Sequence, residues 1–417
     1  MAREMKNSGI VWIGEIPKIW NVYPAKYAFS EIREKNNDGK IKNALKFFNG
    51  TIISKSNFDA DSDDYVADTI TTYTIVNPNT IMINGLNLNY DLKSLRVGIV
   101  KEKGVITSAY LALLPDVKRI LPMYATYLFK GYETRMAFHN MGAGIRKTLG
   151  FKEFKNQPVL IPSIQEQQSI VDFLDAQCAH IDSVVEKTRA AVEEYKKLKQ
   201  AVITQAVTKG IRPNREIKDS GIEWIGEIPR EWKSIKLKHR IALIESGVSV
   251  NAGQNPVCED NIGVLKTSSV SKYWFNPQEN KEVNEDEIKR VSCPVVANTL
   301  IVSRMNTPDL VGACGFVDKD YPNLFLPDRL WQVHFQDKTN VKYLWYFLNS
   351  KNVRFYYASL AVGTSSSMQN ISQDQFYNTY VTLPPLQEQS EIVSYLDEKN
   401  AAIDSIILKK EQLITEL

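Results

Sequence analysis

The chain has 417 residues, of which 43% are hydrophobic and 24% charged, a composition typical of folded globular domains and unlike that of a disordered tail. Its formal net charge of +3, from 51 basic and 48 acidic residues, is too small to identify a polyanionic partner by itself. Four isolated cysteines without a Cys-x-x-Cys pair indicate neither a zinc site nor a disulfide framework. With isolated cysteines and no apolar run of about 18 residues, we expect a cytoplasmic protein without a membrane partner.

The first predicted element is a motif that the sequence contains twice. Residues 7–20 read NSGIVWIGEIPKIW and residues 219–232 read DSGIEWIGEIPREW, with ten of fourteen positions identical. A later block, residues 161–183, returns as residues 383–405. Matching segments in the same order predict an internal duplication.

Each repeat then contains short runs rich in β-branched and aromatic residues, followed by a segment with helical spacing. The predicted strands are Thr80 to Asn84, Arg96 to Val100, Leu300 to Ser303 and Trp331 to Phe335. The predicted helices are Met123 to Phe138 and Lys342 to Leu360. Their repeated aromatic residues Tyr124, Tyr127, Tyr343 and Tyr346 are expected to fill the cores rather than to stack on bases.

A long helix follows each mixed region, with apolar residues in a heptad pattern. The predicted seam consists of Val171, Leu174, Cys178, Ile181, Val185, Val192, Tyr195, Val202, Val393, Leu396, Ile403, Ile407 and Ile414. Gly210 and Pro213 are typical of a helix end, whereas the second helix stops 15 residues short of the corresponding position and is expected to be short or truncated.

The predicted fold class is therefore α+β, with two globular domains of mixed α/β structure and two long helices. We expect the helices to pack antiparallel as a coiled coil, giving a molecule with approximate two-fold symmetry. The predicted boundaries are 1–163 for the first domain, 164–210 for the first helix, 211–385 for the second domain and 386–417 for the second helix.

Two similar domains held at a set separation are typical of a bivalent reader, and duplex DNA is the commonest bivalent target. Base reading requires polar side chains on loops that can enter a groove. The candidates are Asn84, Asn87, Tyr90, Arg96, Arg146, Lys147, Lys266, Ser268, Ser303, Arg304, Asn306, Ser366, Gln369 and Asn370. Because the two domains offer different residues, we expect an asymmetric divided site.

The chain resembles the specificity subunit of type I restriction-modification systems. The paired Trp-Ile-Gly-Glu-Ile-Pro motifs from Trp12 and Trp224, and the Pro-x-x-Gln-Glu-Gln stretches from Pro162 and Pro384, carry this resemblance. It implies that each domain is a target recognition domain reading half of a DNA site. It further implies two methyltransferase partners that methylate adenine N6 with S-adenosylmethionine, and translocating restriction subunits in the full complex.

Residues for catalysis in the chain itself are poorly represented. The segment Gly142-Ala143-Gly144 is not followed by a Walker-type Gly-Lys-Ser, and the four histidines have no partner at ligand or triad spacing. We therefore expect no catalytic, cofactor-binding or metal-binding residue in this chain. Two alternatives stay open here: a coiled-coil scaffold that joins two protein ligands without reading DNA, and a reader fused to an enzyme.

Overall fold

The computed structural model describes residues 3–55, 70–90, 95–144, 147–258, 261–365 and 368–417. The chain divides into two compact units, Met1–Ser183 and Val184–Leu417, called unit 1 and unit 2 below. No helix in the described ranges combines the length and apolar character needed to cross a membrane.

Unit 1 consists mainly of short strands. They are β1 (Met5–Asn7), β2 (Glu15–Pro17), β3 (Asn21–Pro24), β4 (Phe29–Glu31), β5 (Leu45–Phe48), β6 (Thr51–Ser54), β7 (Thr74–Val76), β8 (Ile81–Ile83), β9 (Val97–Ile99), β10 (Gly104–Ile106), β11 (Leu111–Pro115) and β12 (Pro158–Ile161). Its helices are α1 (Pro122–Thr134), the single turn α2 (Phe151–Phe154) and the first part of α3 (Ile164–Lys209).

The centre of unit 1 is an antiparallel sheet with strand order β4-β11-β8-β9. Buried aliphatic residues of this sheet, such as Ile81 and Leu113, pack against Phe129 of α1. The β1–β2 hairpin and the β3–β12 pair complete the unit beside this core. Strand β8 is thus part of this core, and the loop that follows β8 begins at the edge of the core.

Unit 2 contains the end of α3 and the second set of strands. They are β13 (Ile217–Asp219), β14 (Glu227–Pro229), β15 (Lys233–Lys236), β16 (Ile241–Ser246), β17 (Gly263–Leu265), β18 (Asn280–Glu282), β19 (Pro294–Val295), β20 (Thr299–Ser303), β21 (Met305–Asn306), β22 (Cys314–Val317), β23 (Tyr321–Phe325), β24 (Leu330–Phe335), β25 (Val362–Ser365), β26 (Met368–Asn370) and β27 (Tyr380–Leu383). The other helices are α4 (Val341–Leu348), α5 (Lys351–Leu360), α6 (Gln373–Tyr377) and α7 (Leu386–Glu416).

The duplication in the sequence is also present in the topology. The order β16-β24-β20-β22 in unit 2 repeats β4-β11-β8-β9, β13–β14 repeats the β1–β2 hairpin, and β15–β27 repeats β3–β12. Beside this framework, the described part of unit 1 contains the strand pairs β5–β6 and β7–β10, whereas unit 2 contains a sheet of order β18-β17-β23-β19 and a small sheet of order β21-β26-β25. The common framework is thus duplicated, and the additional sheets distinguish the two units.

The strand predictions are confirmed by β8, β9, β20 and β24, each within a residue of the predicted ends. The prediction of one helix over Lys342 to Leu360 was wrong, because the segment forms two helices, α4 and α5, separated by Asn349 and Ser350. The buried Asn349 side chain donates to the carbonyl oxygen of Cys314 at 2.8 Å and accepts from its amide at 3.2 Å. These hydrogen bonds connect the junction between α4 and α5 to β22, and the helix does not continue through the junction.

Within unit 2, α3 and α7 pack side by side in antiparallel orientation. Lys199 Nζ contacts both carboxylate oxygens of Asp404 at 2.7 Å, and Lys410 Nζ lies 5.9 Å from the centre of the Tyr195 ring. Earlier positions of α3 therefore face later positions of α7. This arrangement confirms the predicted antiparallel coiled coil of the two long helices.

Burial of the predicted seam differs along α3. In the helix pair of unit 2, Val192, Leu396 and Ile403 are buried, and partly buried seam positions are Val185, Tyr195, Val202, Val393, Ile407 and Ile414. In unit 1, Val171 is part of the domain core and Leu174 is half-buried, whereas Cys178 and Ile181 are exposed. Val171 therefore packs in the domain core and not in a helix seam, whereas the seam assignment of Leu174, Cys178 and Ile181 stays a prediction.

The predicted core role of the repeated tyrosines is confirmed for three of them. Tyr124, Tyr343 and Tyr346 are buried. Tyr127 is half-buried, and its hydroxyl donates to Asp175 Oδ1 at 2.6 Å. Tyr346 makes the equivalent bond to Asp397 Oδ1 at 2.7 Å, so both repeats anchor a long helix to the preceding domain by the same pair.

Candidate nucleic-acid interface

In unit 1, two polar segments that lie far apart in the sequence are joined by main-chain hydrogen bonds. Leu149 N donates to Gly85 O at 2.9 Å, and Leu88 N donates to Lys147 O at 3.1 Å. A Cβ atom at Gly85 would lie 2.4 Å from Leu149 O, so this approach requires glycine. We call residues 84–90 together with 142–144 and 147–149 the paired loops of unit 1. Their polar side chains belong to one continuous surface.

A buried arginine supports the first of these loops. Arg96 is only 1% exposed, and its Nη1 donates to the carbonyl oxygens of Asn84 at 2.9 Å and Leu86 at 2.8 Å. Its backbone amide donates to the carboxylate of Glu133 on α1. Burial raises the pKa of Glu133 above its usual value. The buried guanidinium of Arg96 therefore supports the loop backbone from the protein interior, and it cannot itself reach a ligand.

Three of the predicted unit 1 side chains lie on the exposed side of the paired loops. Asn87 is exposed in the left-handed backbone region at φ 51°, Tyr90 is 73% exposed, and Lys147 is exposed at φ 37°. Asn84 is half-buried, and its Oδ1 accepts from Leu86 N at 3.2 Å, so its side chain shapes the loop. Arg146 lies outside the described residues.

Unit 2 builds the same kind of surface with β-strand pairing. Strand β21 pairs with β26, with Asn306 opposite Gln369 and Met305 opposite Asn370, and Ile371 N donates to Arg304 O at 3.1 Å. We call residues 304–307 together with 368–371 the paired loops of unit 2. Arg304, Asn306, Gln369 and Asn370, predicted separately from two stretches of sequence, are thus neighbours.

The side chains at this surface in unit 2 are half-buried or exposed. Arg304 is half-buried, and its Nε has no hydrogen-bond partner among the described atoms. Asn306 donates through Nδ2 to Ser303 Oγ at 3.2 Å and accepts from Thr307 N at 2.9 Å, which fixes its amide plane. The Nε atom is buried, so Arg304 can recognise base edges or phosphates only through the terminal nitrogens of its guanidinium, beside the oriented amides.

The two surfaces occupy equivalent places in the duplicated framework. Asn84 N donates to Arg96 O at 2.8 Å in unit 1, and Ser303 N donates to Ala313 O at 2.9 Å in unit 2. Ala313 thus replaces Arg96, and the carbonyl oxygen of Ser303 accepts instead from Gly312 N at 2.6 Å. The two units place their loops on the same strand end but support them with different residues.

Two predicted residues are buried, which corrects their placement on the binding surface. Arg96 and Ser303 are 1% and 0% exposed, because each sits at the strand end where the loop backbone needs a donor or a small side chain. Lys266 and Ser268 follow β17, in a different sheet from β21 and β26. Ser268 Oγ donates to Glu279 Oε2 at 2.6 Å, and a neighbouring carboxylate disfavours a phosphate at this hydroxyl. Ser366 lies outside the described residues.

The sequence analysis missed Glu133 and Gly85. Glu133 lies in the middle of a helical pattern, 37 residues from Arg96, and no spacing rule connects the two. Gly85 follows directly on the predicted strand, and its position after Asn84 was an available signal of a tight backbone approach.

Comparison with known proteins gives consistent matches over both repeats. A family model described as type I restriction modification DNA specificity domain matches residues 23–194 and 243–416. The type I restriction enzyme MjaVIII specificity subunit of Methanocaldococcus jannaschii is 26% identical over 343 residues, covering 81% of this chain and 76% of the relative.

Two solved structures share the fold. One, from a study of complex assembly and conformational transition of the type I R-M system, has a TM-score of 0.64 at 14% identity and covers 96% of this chain and 95% of its own. The other is the HsdS subunit from Thermoanaerobacter tengcongensis, with a TM-score of 0.53 at 13% identity, covering 96% and 94% of the two chains. At these identities the likeness is one of fold.

Proposed function

The chain belongs to the family of type I restriction-modification DNA specificity domains, and on this premise we propose that each unit reads one half of a divided DNA site. As a specificity subunit it works with DNA and with other subunits of a restriction-modification complex. Its two matched domains correspond to the two target recognition domains that such a role requires.

The observation that carries the proposal is the pairing of loops in both units. In each, main-chain hydrogen bonds bring two distant polar segments to the same strand end of a duplicated sheet. Loops that are joined by main-chain hydrogen bonds and that present amides and cations meet the geometric needs of base reading in a groove. A scaffold without DNA reading has no need for such loops, and the family match also disfavours that alternative.

The proposed contacts differ between the units. In unit 1 they are Asn87, Tyr90 and Lys147, with Arg146 added from the sequence, and in unit 2 they are Arg304, Asn306, Gln369 and Asn370, with Ser366 added from the sequence. Arginine prefers guanine and asparagine or glutamine prefers adenine in the major groove. The two half-sites therefore differ, and the complete target is asymmetric. Lys266 is proposed as a peripheral phosphate contact.

We further propose that the chain recognises DNA and leaves the chemistry to its partners. Two methyltransferase subunits that use S-adenosylmethionine bind it and act on adenine N6 within the half-sites, and translocating restriction subunits join the full complex. In this proposal residues 1–163 and 211–385 are the recognition domains, and the helices set the gap between their half-sites.

Methylation mapping tests this function directly. Cells would express the chain with its methyltransferase partner, and single-molecule sequencing would identify methylated adenines. For Arg304→Ala we expect relaxed sequence preference at one position of one half-site, corresponding to a loss of about 1–3 kcal/mol of discrimination. The matched control is Arg230→Ala, which removes an exposed arginine paired with Glu216 on the β13–β14 hairpin, and it should leave the methylated sequence unchanged.

Two results would contradict the proposal. If Arg304→Ala leaves the methylated sequence the same as the Arg230→Ala control does, Arg304 does not read a base. If the assembled complex fails to protect any DNA sequence from a footprinting nuclease, the reading role itself is lost and the scaffold alternative is favoured.

A further inference from the structure

A small pocket of unit 2 lies at the start of α7. It has a volume of about 320 Å³, and its lining includes Pro385 and Leu386 at the helix start, Lys233 of β15, and Arg240 and Lys338 from two turns of the chain. This volume is at the lower end of the range found for small-ligand sites. The paired loops of unit 2 do not line the pocket, so a ligand bound here would be separate from the proposed base contacts.

The helix start at this pocket has no capping side chain. Pro385 occupies the capping position of the 31-residue helix α7 and offers no acceptor for the first N–H groups of the helix. Its counterpart in unit 1 is Ser163, whose Oγ accepts from Glu166 N at 3.3 Å. The uncapped N–H groups and the positive end of the helix dipole favour an anion at the start of α7.

The charges of the lining strengthen this preference. The side chains of Lys233, Arg240 and Lys338 take part in no ion pair in the described parts of the chain. The lining contains one carboxylate, that of Glu231, and this group already pairs with Arg215. An anion in the pocket would therefore meet three cations that have no other counter-charge.

The duplicated framework folds without two of these cations. The counterparts of Lys233 and Arg240 in unit 1 are Asn21 and Ala28. Unit 1 nevertheless forms the equivalent strand pair and the equivalent helix start. Folding of the common framework thus does not account for the positive charge of this pocket.

Two polar atoms in the wall of the pocket lack partners. Thr339 Oγ1 and Gln389 Oε1 are buried without a hydrogen-bond partner among the described atoms, and Gln389 is only 6% exposed. The Nε2 atom of Gln389 donates to Pro384 O at 2.9 Å, which fixes the direction of its amide. In unit 1, the equivalent Gln167 Oε1 accepts from Leu121 N at 2.7 Å. A ligand seated against this wall in unit 2 can accept from the threonine hydroxyl and donate to the glutamine.

We propose that the pocket at the start of α7 binds a phosphate group that carries a proton, either as free hydrogen phosphate or as the singly protonated end of a phosphate ester. Its charged oxygens accept from the N–H groups of α7, from Thr339 and from the three cations, and its P–OH donates to Gln389 Oε1. A phosphodiester of DNA has no proton to donate, so this site selects a different ligand from the base-reading surfaces.

Equilibrium dialysis of the full chain against radiolabelled inorganic phosphate tests the proposal, at neutral pH and with sodium chloride keeping the ionic strength constant. We expect saturable binding of one phosphate per chain. Sulfate and dimethyl phosphate are anions without a proton to donate at neutral pH. Each should compete roughly tenfold more weakly than unlabelled phosphate, because Gln389 Oε1 would stay unpaired.

A phosphate ester identifies the source of the bound group. Glycerol phosphate retains one proton in mildly acidic buffer, where it can be compared with inorganic phosphate as a competitor. Equal competition assigns the pocket to the ends of phosphate esters, whereas competition by inorganic phosphate alone assigns it to the free ion.

A cation variant and its control connect the binding to this pocket. Arg240→Ala removes a charged donor from the lining, and we expect phosphate binding to weaken roughly tenfold. The matched control is Lys238→Ala, which removes an exposed cation two residues away that does not line the pocket. Binding by the control variant should be unchanged.

A capping variant tests the role of the helix start. Pro385→Ser introduces the residue of unit 1, whose hydroxyl would accept from the N–H groups that the phosphate needs. We expect phosphate binding to weaken about fivefold, with a thermal unfolding temperature in phosphate-free buffer that is unchanged or higher. A structural defect would instead lower that temperature.

The proposal is overturned by any of three results: no saturable binding of phosphate, competition by sulfate equal to that by phosphate, or equal binding by Arg240→Ala and Lys238→Ala.

Discussion

At the scale of single residues, the two repeats place the same glutamate in very different surroundings. Glu388 is almost completely buried, where it pairs with Arg215 and accepts from Trp232 Nε1 at 3.2 Å. Its counterpart Glu166 is 21% exposed and pairs with Arg3, which is 59% exposed. Desolvation makes the removal of one partner from a buried pair costly, whereas solvent screening makes an exposed pair weak. The same substitution should therefore have unequal effects.

We predict that Glu388→Gln lowers the free energy of unfolding by about 1.5–3 kcal/mol, because Arg215 loses its buried carboxylate partner and keeps only the half-exposed Glu231. Glu166→Gln should cost less than about 1 kcal/mol. Urea unfolding of the two variants beside the parent chain measures both values. Similar losses for the two variants would contradict the assigned difference in burial.

The carboxylate below the paired loops of unit 1 leads to a prediction about pH. Burial raises the pKa of Glu133, so the folded chain binds its proton more tightly than the unfolded chain. The associated stability is fully present below the ordinary carboxyl pKa and is lost as the pH rises through the raised value. Glu133→Gln keeps an acceptor for Arg96 N and has no charge to desolvate.

We therefore expect Glu133→Gln to match the parent in stability in acid and to become relatively more stable as the pH rises towards neutrality. Thermal unfolding across this pH range, compared with Glu102→Gln at an exposed position between β9 and β10, measures the effect. A stability difference that stays constant with pH would show that burial does not control this carboxyl group.

At the scale of elements, the heptad positions of α3 and α7 differ in how much stability they contribute. Leu396 is 0% exposed in the core of unit 2, whereas Leu408 on the same helix is 57% exposed. We predict that Leu396→Ala costs about 2–5 kcal/mol and that Leu408→Ala changes stability by no more than about 0.5 kcal/mol. Denaturant unfolding of the pair, which share residue type and helix, tests whether α7 packs through this face.

The positions of helices and strands could be predicted from the sequence more accurately than the burial and the contacts of their residues. Long helices and β8, β9, β20 and β24 follow from hydrophobic periodicity, which is a local property. The exposure of Cys178 and Ile181 does not follow, because a heptad indicates an apolar stripe without identifying what covers it. The break between α4 and α5 was also missed, since it depends on hydrogen bonds from Asn349 to a strand 35 residues away.

For the candidate interface, too, local features could be predicted from the sequence and long-range contacts could not. Loop residues such as Asn87, Arg304 and Asn306 could be identified because polar residues directly follow predicted strands. The burial of Arg96 could not, because an arginine at a strand start has the same local pattern whether it points to solvent or caps loop carbonyls. The pairing of residues 304–307 with 368–371 is a long-range property that no single segment records.

At the scale of the whole molecule, independent reading by the two units has a direct consequence. Exchange of residues 219–384 for the equivalent segment of a relative should change one half-site and leave the other intact, because the paired loops of unit 1 lie outside the exchanged segment. Methylation mapping of the chimera with its methyltransferase partner measures this result. Changes in both half-sites would contradict independent reading.

The gap between half-sites provides the last prediction, since α3 begins in unit 1 and ends in unit 2. Removal of residues 186–192 shortens α3 by one heptad, which preserves the facing of its seam and removes about 10 Å of helix at 1.5 Å per residue. At roughly 3.4 Å per base pair, the gap should shorten by about three base pairs while both half-sequences stay the same. Insertion of a second copy of residues 186–192 should lengthen the gap by the same amount. Methylation mapping of both variants decides the matter, because a gap that does not follow the helix length in either direction would mean that other parts of the complex set the spacing.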